Sequence, residues 1–420
     1  MILRLFRNRH ALFLTGVLLS APVGISVAAC FSGAAQAEDM LSANVGKPLQ
    51  AAQSALAAKN YAKAMQDVDA ADAVSGKTDY ETYTIAQMRA AVAAQSGDTA
   101  AAIKAYDVLI ASSRTPASAK QQMMMAEATM AYQAKDYARA VPLIEKYLKA
   151  AGPNPQMQTI LVQSYYLQKD YKNAARVLQD QVNAEIKAKK VPPENQLQFL
   201  TTCYHAMKDD AGETHGYVLL AKYYSKPDYW AALIHVLATN AKLPEALQFN
   251  LLRLREATGT LKDPSDYMDI AERAMQRNMP QLAVKVMDSG YARGVLGKDA
   301  GAPREAKLKA MAVSRAADVK AGLTAAAQSA ASAPNAGPAL TTGYNMVLAG
   351  QVKEGLALMK QGLAKHPRFP DIALLEYGMA EMDGGLSKDA AATFEQVQGE
   401  DGARDLAQLW ELLITRPPTK

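Results

Sequence analysis

KDYARA (135–140) and KDYKNA (169–174) are near-copies set 34 residues apart. Each opens on a Lys-Asp turn, continues with an aromatic and two further residues, and closes on alanine. The same order returns as KNYAKA (59–64), SGDTAAA (96–102), AKLPEA (241–246), NMPQLA (278–283), GQVKEG (350–355) and GLSKDA (385–390). The hydrophobe after the turn falls at 61, 99, 137, 171, 243, 279, 352 and 387, with gaps of 38, 38, 34, 72, 36, 73 and 35. The two long gaps are each about twice 36, and degenerate copies fit inside them near Asp210 and Asp318. About ten turns at roughly a 34-residue period are the mark of a helix–turn–helix repeat array.

The residues around each turn read as helices. In the third repeat the pattern predicts helix A over 117–134 and helix B over 137–150. Helix B places Ala140, Ile144, Tyr147 and Leu148 on one face. The closing alanine belongs where two helices cross closely. Prolines then mark the joints: Pro116, Pro153, Pro155, Pro192, Pro193, Pro227, Pro264, Pro303, Pro338, Pro367 and Pro370. A proline between helices ends one and starts the next. The fold expected is all-α, an α-solenoid of about ten such pairs.

These segments resemble tetratricopeptide repeats. Leu161, Tyr165, Tyr171 and Ala174 stand where that motif takes large, large, aromatic and small residues. Leu374, Gly378, Ala390 and Phe394 do the same in the last repeat, while Val162 departs from the motif's glycine. A narrower resemblance, carried by KYYSKPDYWAALIHVL (222–237), 256–297 and VQGEDGARDLAQLW (397–410), is to a proteobacterial periplasmic repeat family. The Lys-Pro-x-Tyr-Trp element also resembles repeat proteins associated with TonB energy-transducing systems.

The tetratricopeptide resemblance implies a right-handed superhelix whose A helices line the concave side. Counting from the turns puts Met125, Thr129 and Tyr132 of repeat three on that face. Thr159, Gln163 and Tyr166 of repeat four follow, then Gln198, Thr202 and His205 of repeat five, then Ala231 and His235 of repeat six. The strip is neutral, bears amides and hydroxyls, and suits an extended peptide or a helix laid in a groove. Tyrosine and methionine on such helices also serve as packing between repeats, and both readings stay open. Trp230 and Tyr267 hold matching positions and read as buried wedges; Lys222 to Tyr229 reads alternatively as an exposed docking corner.

The N-terminus reads as a leader. MILRLFRNRH is a positive start, Ala11 to Ala29 carries no charge, and Ala35-Gln36-Ala37 is a small-x-small cleavage site. Residues 1–37 are therefore expected to be a secretory signal peptide, and the protein periplasmic. Val27-Ala28-Ala29-Cys30 also fits a lipobox, which would tether the chain to a membrane through Cys30. Removing the leader's three arginines leaves 43 basic against 41 acidic residues, so the charge implies neither nucleic acid nor an anionic membrane as partner. Cys203 is then the one cysteine left, which excludes an intrachain disulfide. Two sub-arrays are expected, 38–297 and 298–420, with an Ala-rich degenerate repeat at 303–337.

The five histidines show no metal-binding spacing, and His205 and His235 lie one repeat apart, near 10 Å. ADAVSGKT (71–78) lacks the first glycine of a phosphate loop, and no nucleophile motif occurs. The expected function is a non-catalytic scaffold without cofactor or metal, binding proteins of an envelope machine such as TonB-type transport. The alternatives are a repeat component of exopolysaccharide export and a membrane-tethered lipoprotein adaptor.

Overall fold

The computed structural model describes residues 40–240, 243–399 and 402–416. The leader, with Cys30 and the Ala37 cleavage site, lies outside them, as does the head of the AKLPEA turn. Among the described residues every regular element is a helix. In chain order these are α1 (Ala43–Ala57), α2 (Tyr61–Asp72), α3 (Asp79–Ser96), α4 (Thr99–Ala111), α5 (Ala117–Gln133), α6 (Tyr137–Ala151) and α7 (Pro155–Leu167). Then come α8 (Tyr171–Lys187), α9 (Glu194–Met207), α10 (Asp210–Tyr224), α11 (Pro227–Asn240), α12 (Glu245–Ala257), α13 (Pro264–Gln276) and α14 (Pro280–Ala292). The last six are α15 (Ala302–Ser332), α16 (Ala336–Leu348), α17 (Val352–Leu363), α18 (Pro370–Asp383), α19 (Ser387–Phe394) and α20 (Ala403–Thr415).

The recurring turn works through two adjacent residues. The first adopts a left-handed backbone: Lys59, Lys135, Lys169 and Lys208 have φ between 57° and 65°, and Gly97, Gly350 and Gly385 serve other turns. The second caps the next helix. Asp136 accepts from the Arg139 N–H at 3.2 Å, Asp170 from Asn173 at 3.2 Å and Asp209 from Gly212 at 2.9 Å. Each bond satisfies a donor that the helix start would leave orphaned. The copy predicted near Asp210 is thus made by Lys208-Asp209.

The closing small residue sits at the helix crossing. Ala64, Ala140, Ala174, Ala283 and Ala390 are all 0% exposed. At Gly355 the approach is tighter still: a Cβ there would lie 2.5 Å from the Gly343 carbonyl oxygen across the α16–α17 crossing. Trp230 and Tyr267 are fully buried, as the wedge reading requires.

The turn predicted near Asp318 is not made. α15 runs unbroken for 31 residues, about twice the length of most other helices. Around Asp318 the chain reads SRAADVKAG (314–322), with Ala316-Ala317 before the acid where the other described turns have a lysine, glycine or asparagine for the left-handed step. Alanine, the best helix former, fills the rest.

The chain divides into two compact units, one through Met130 and one from Ala131 onward. The sequence-based boundary at 297/298 falls inside the second. In the first unit Val45, Leu49, Val68, Ile85 and Val92 form one core cluster. Its helix starts are knotted by Glu81, whose carboxylate accepts from the Ser42 N–H at 2.8 Å and the Thr78 N–H at 2.9 Å. Hydrogen bonding from Ser42 first, then from the Thr78 backbone, holds Glu81 at about 2.

The second unit departs from nearest-neighbour stacking. α20 packs on α10 and α12, and α12 meets α18. A buried ion pair fastens this closure: Arg253 of α12 reaches Asp383 at the end of α18, Nη2 to Oδ2 2.7 Å, 130 residues on. Tyr344 donates to the same oxygen at 2.8 Å and Lys285 to the other at 2.6 Å.

Candidate functional site

The predicted strip lies on the A helices, and the structure shows what each side chain does. Thr129, Thr159 and Thr202 donate to the carbonyls of Met125, Pro155 and Gln198, four residues back in their own helices, at 2.7–2.8 Å. Their hydroxyl protons are spent internally, and each leaves its oxygen lone pairs to accept. Met125 and Thr129 are half-buried and belong to the first unit.

In the second unit the half-buried members of the strip link repeat to repeat. The Tyr132 hydroxyl donates to Gln163 Oε1 at 2.6 Å. The Tyr166 ring meets Tyr171 at 5.2 Å and Phe199 at 5.1 Å, both edge-on. Gln198 Nε2 donates to the Tyr229 hydroxyl at 2.6 Å, and Tyr229 in turn donates to Glu194, which also holds Lys226 at 2.6 Å. Tyr132–Gln163 and Gln198–Tyr229 are each 31 residues apart. One polar rung thus recurs between different repeats. Burial, then the neighbouring Tyr137 or Tyr171, raises the Tyr132 and Tyr166 hydroxyls above their ordinary range, so both stay protonated donors.

The free part of the strip is its outer edge. Thr159, His205, Ala231 and His235 are exposed. Thr159 donates within its own helix, and His205 Nδ1 lies 3.0 Å from Glu213 Oε2. Among the described residues no group of three His, Cys, Asp or Glu is placed to hold a metal ion. Cys203 lies beneath the strip, 0% exposed, and burial pushes its thiol up to about 12, which leaves it a packing residue. Of the Lys222–Tyr229 corner, Lys222, Lys226, Pro227 and Asp228 are exposed and Tyr229 is buried. The edge can supply imidazole and hydroxyl groups from α7, α9 and α11, flanked by half-buried aromatic rims and amides.

Sequence reasoning missed the buried group of Arg253, Tyr344 and Asp383, with Lys285 at its exposed rim. Its four residues come from four helices, and no short-range pattern joins them. Arg277 and Glu376 extend it, 3.2 Å apart.

No known family profile matches the chain, and no curated protein matches it. Among solved structures the chain is similar to the TPR2AB domain of yeast Sti1 in complex with pHSP90, at 14% identity over 70% of this chain and 98% of that one, with a TM-score of 0.23. It is also similar to the P58(IPK) TPR domain, at 14% identity over 90% of this chain and 100% of that one, TM-score 0.20. Yeast Tom70 matches at 10% identity over 88% of this chain and 95% of that one, TM-score 0.20. Scores this low carry no argument, so the repeat architecture rests on the helix pairs and turns described above.

Proposed function

We propose that this chain is a non-catalytic scaffold that holds partner proteins of the bacterial envelope along the A-helix strip. The observation that carries the reading is the strip's division of labour. Tyr132, Gln163, Tyr166 and Gln198 fix the spacing of successive repeats from within. Thr159, His205, Ala231 and His235 stand exposed on three of the helices so spaced. A surface whose polar groups are fixed at regular intervals suits an extended peptide or a partner helix. The periplasm, with a leader cut after Ala37, is the compartment proposed, on the layout of residues 1–37. A TonB-type machine is the first one to test, on the Lys-Pro-x-Tyr-Trp resemblance.

The test is a crosslinked pull-down from envelope extract with the mature chain and an Ala231→Arg, His205→Ala, His235→Ala variant. All three positions are exposed, so folding should change by no more than about 0.5 kcal/mol each, checked by circular dichroism. Specific envelope proteins captured by the wild type and lost by the variant support the reading. Identical capture by both, or none by either, overturns it.

A further inference from the structure

The fused helix α15 leaves an uncovered apolar groove in the second unit. In every complete repeat an A helix turns back into a B helix that covers it. α15 makes no such turn and extends for roughly 46 Å at 1.5 Å per residue. Its inner face packs through Glu305, Ala312, Leu323 and Ala330. Among the described residues no helix returns over the other side of its N-terminal half. There a cavity of about 650 Å³ opens against α14, lined by Tyr291, Ala306, Lys309, Ala310, Val313 and Ser314. Its surface is mostly apolar, and Lys309 is drawn aside to Asp288 at 2.6 Å and over the Tyr291 ring at 4.8 Å. Val313, which lines the groove, is 49% exposed.

The unpaired, exposed charge that α15 carries is mainly cationic. α15 carries Arg304, Lys307, Lys309, Arg315 and Lys320 against two acids, Glu305 and Asp318. Glu305 is buried and accepts from the Gly297 N–H at 2.7 Å, so Asp318 is the one acid α15 exposes. Arg304 is paired with Glu272 and Lys309 with Asp288. Lys307, Arg315 and Lys320 are exposed and make no ion pair among the described residues.

We propose that the α14–α15 groove is a docking site for an acidic amphipathic helix of a partner protein. The partner's apolar face would lie over Ala306, Ala310 and Val313, in the place a B helix takes in the other repeats. Its acidic flank would meet Lys307 and Lys320. The small side chains at 306, 310 and 314 let a helix approach closely, and the cationic rim selects acidic sequences over basic ones. This surface is separate from the A-helix strip and does not depend on it, so the chain could hold two partners at once.

The probe is a fluorescein-labelled, hydrocarbon-stapled helix of roughly five turns, with leucines on one face and glutamates on the other. Its counterpart carries lysine for every glutamate. Fluorescence anisotropy with the mature chain should show saturable binding of the acidic probe that weakens as salt rises, with the lysine probe at least about tenfold weaker. Ala310→Trp fills the groove without altering charge and should weaken binding by about tenfold or more. Ser314→Trp repeats that test should Ala310→Trp misfold. Lys307→Glu with Lys320→Glu should weaken it by several-fold, while Ala231→Arg, His205→Ala, His235→Ala leaves it unchanged. The proposal is overturned if the acidic probe does not saturate, if both probes bind alike, or if the tryptophan variants bind as the wild type does. It is equally overturned if Ala310→Trp abolishes self-association seen by sedimentation, or binding to phosphatidylglycerol vesicles, since a second copy or a lipid surface would then occupy the groove.

Discussion

Replacing Asp383 by leucine should remove much of the stability of the second unit, and the structure sets the size. Asp383 is 2% exposed and Arg253 6%. Burial alone would raise the Asp383 carboxyl, but Arg253 and then Lys285 outweigh it and hold the group below its ordinary range. Asp383→Leu leaves the Arg253 guanidinium buried with the Tyr344 hydroxyl as its one remaining hydrogen-bond partner among the described residues. Stranding one partner of a buried pair costs about 3–5 kcal/mol, or two to four powers of ten in the folding constant at about 1.4 kcal/mol each. Removing both charges is different. In Arg253→Met with Asp383→Leu the exposed Lys285 returns to water, and the chief loss is the orphaned Tyr344 hydroxyl, about 1–3 kcal/mol. The double variant should therefore be more stable than Asp383→Leu alone. Both tryptophans, Trp230 and Trp410, lie in the second unit and are 0% and 1% exposed. Their fluorescence during urea unfolding consequently reports that unit. A single-variant loss under about 1 kcal/mol, or a double-variant loss equal to the sum of the singles, would refute the claim that this pair fastens the closure.

Two further perturbations probe local packing and pH. Gly343→Ala places a Cβ 2.5 Å from the Gly355 carbonyl oxygen and 2.9 Å from the Met359 nitrogen, both backbone atoms that cannot rotate away. It should cost about 1–3 kcal/mol, whereas Gly322→Ala, with nothing within 4 Å inside α15, should stabilise by about 0.5–1 kcal/mol; thermal melts of the two variants should move in opposite directions. Glu81 titrates at about 2 when folded, below an unfolded value of roughly 4.3, so its stabilising contribution is complete above that value and disappears as pH falls toward 2. The gap in melting temperature between wild type and Glu81→Gln should be widest near neutral pH and narrow across that window, and a gap independent of pH would show that Glu81 makes no linked contribution.

What could be read from sequence follows the distance over which each feature is decided. The KDYARA turn is settled within six residues, since a left-handed Lys135, a capping Asp136 and a crossing Ala140 all act locally. The strip was half legible. Counting from the turns placed Tyr132, Gln163 and Gln198 on one face, yet it could not say that Tyr132 is bonded to Gln163 rather than facing a ligand. A signal was present nonetheless: a tyrosine and a glutamine 31 residues apart occur twice, as Tyr132–Gln163 and Gln198–Tyr229, and a donor and an acceptor held one repeat apart can form a rung. α15 shows the opposite failure. Spacing alone demanded a turn near Asp318, but local chemistry had no residue suited to the left-handed step, and local chemistry decided the outcome. The Arg253–Asp383 pair lay beyond both signals, because a period of about 36 residues gives neighbours and says nothing of partners 130 residues away. A repeat period therefore fixes which helices lie side by side, while the residues that interrupt it, at α15 and at Asp383, fix where the array opens a groove and where it closes.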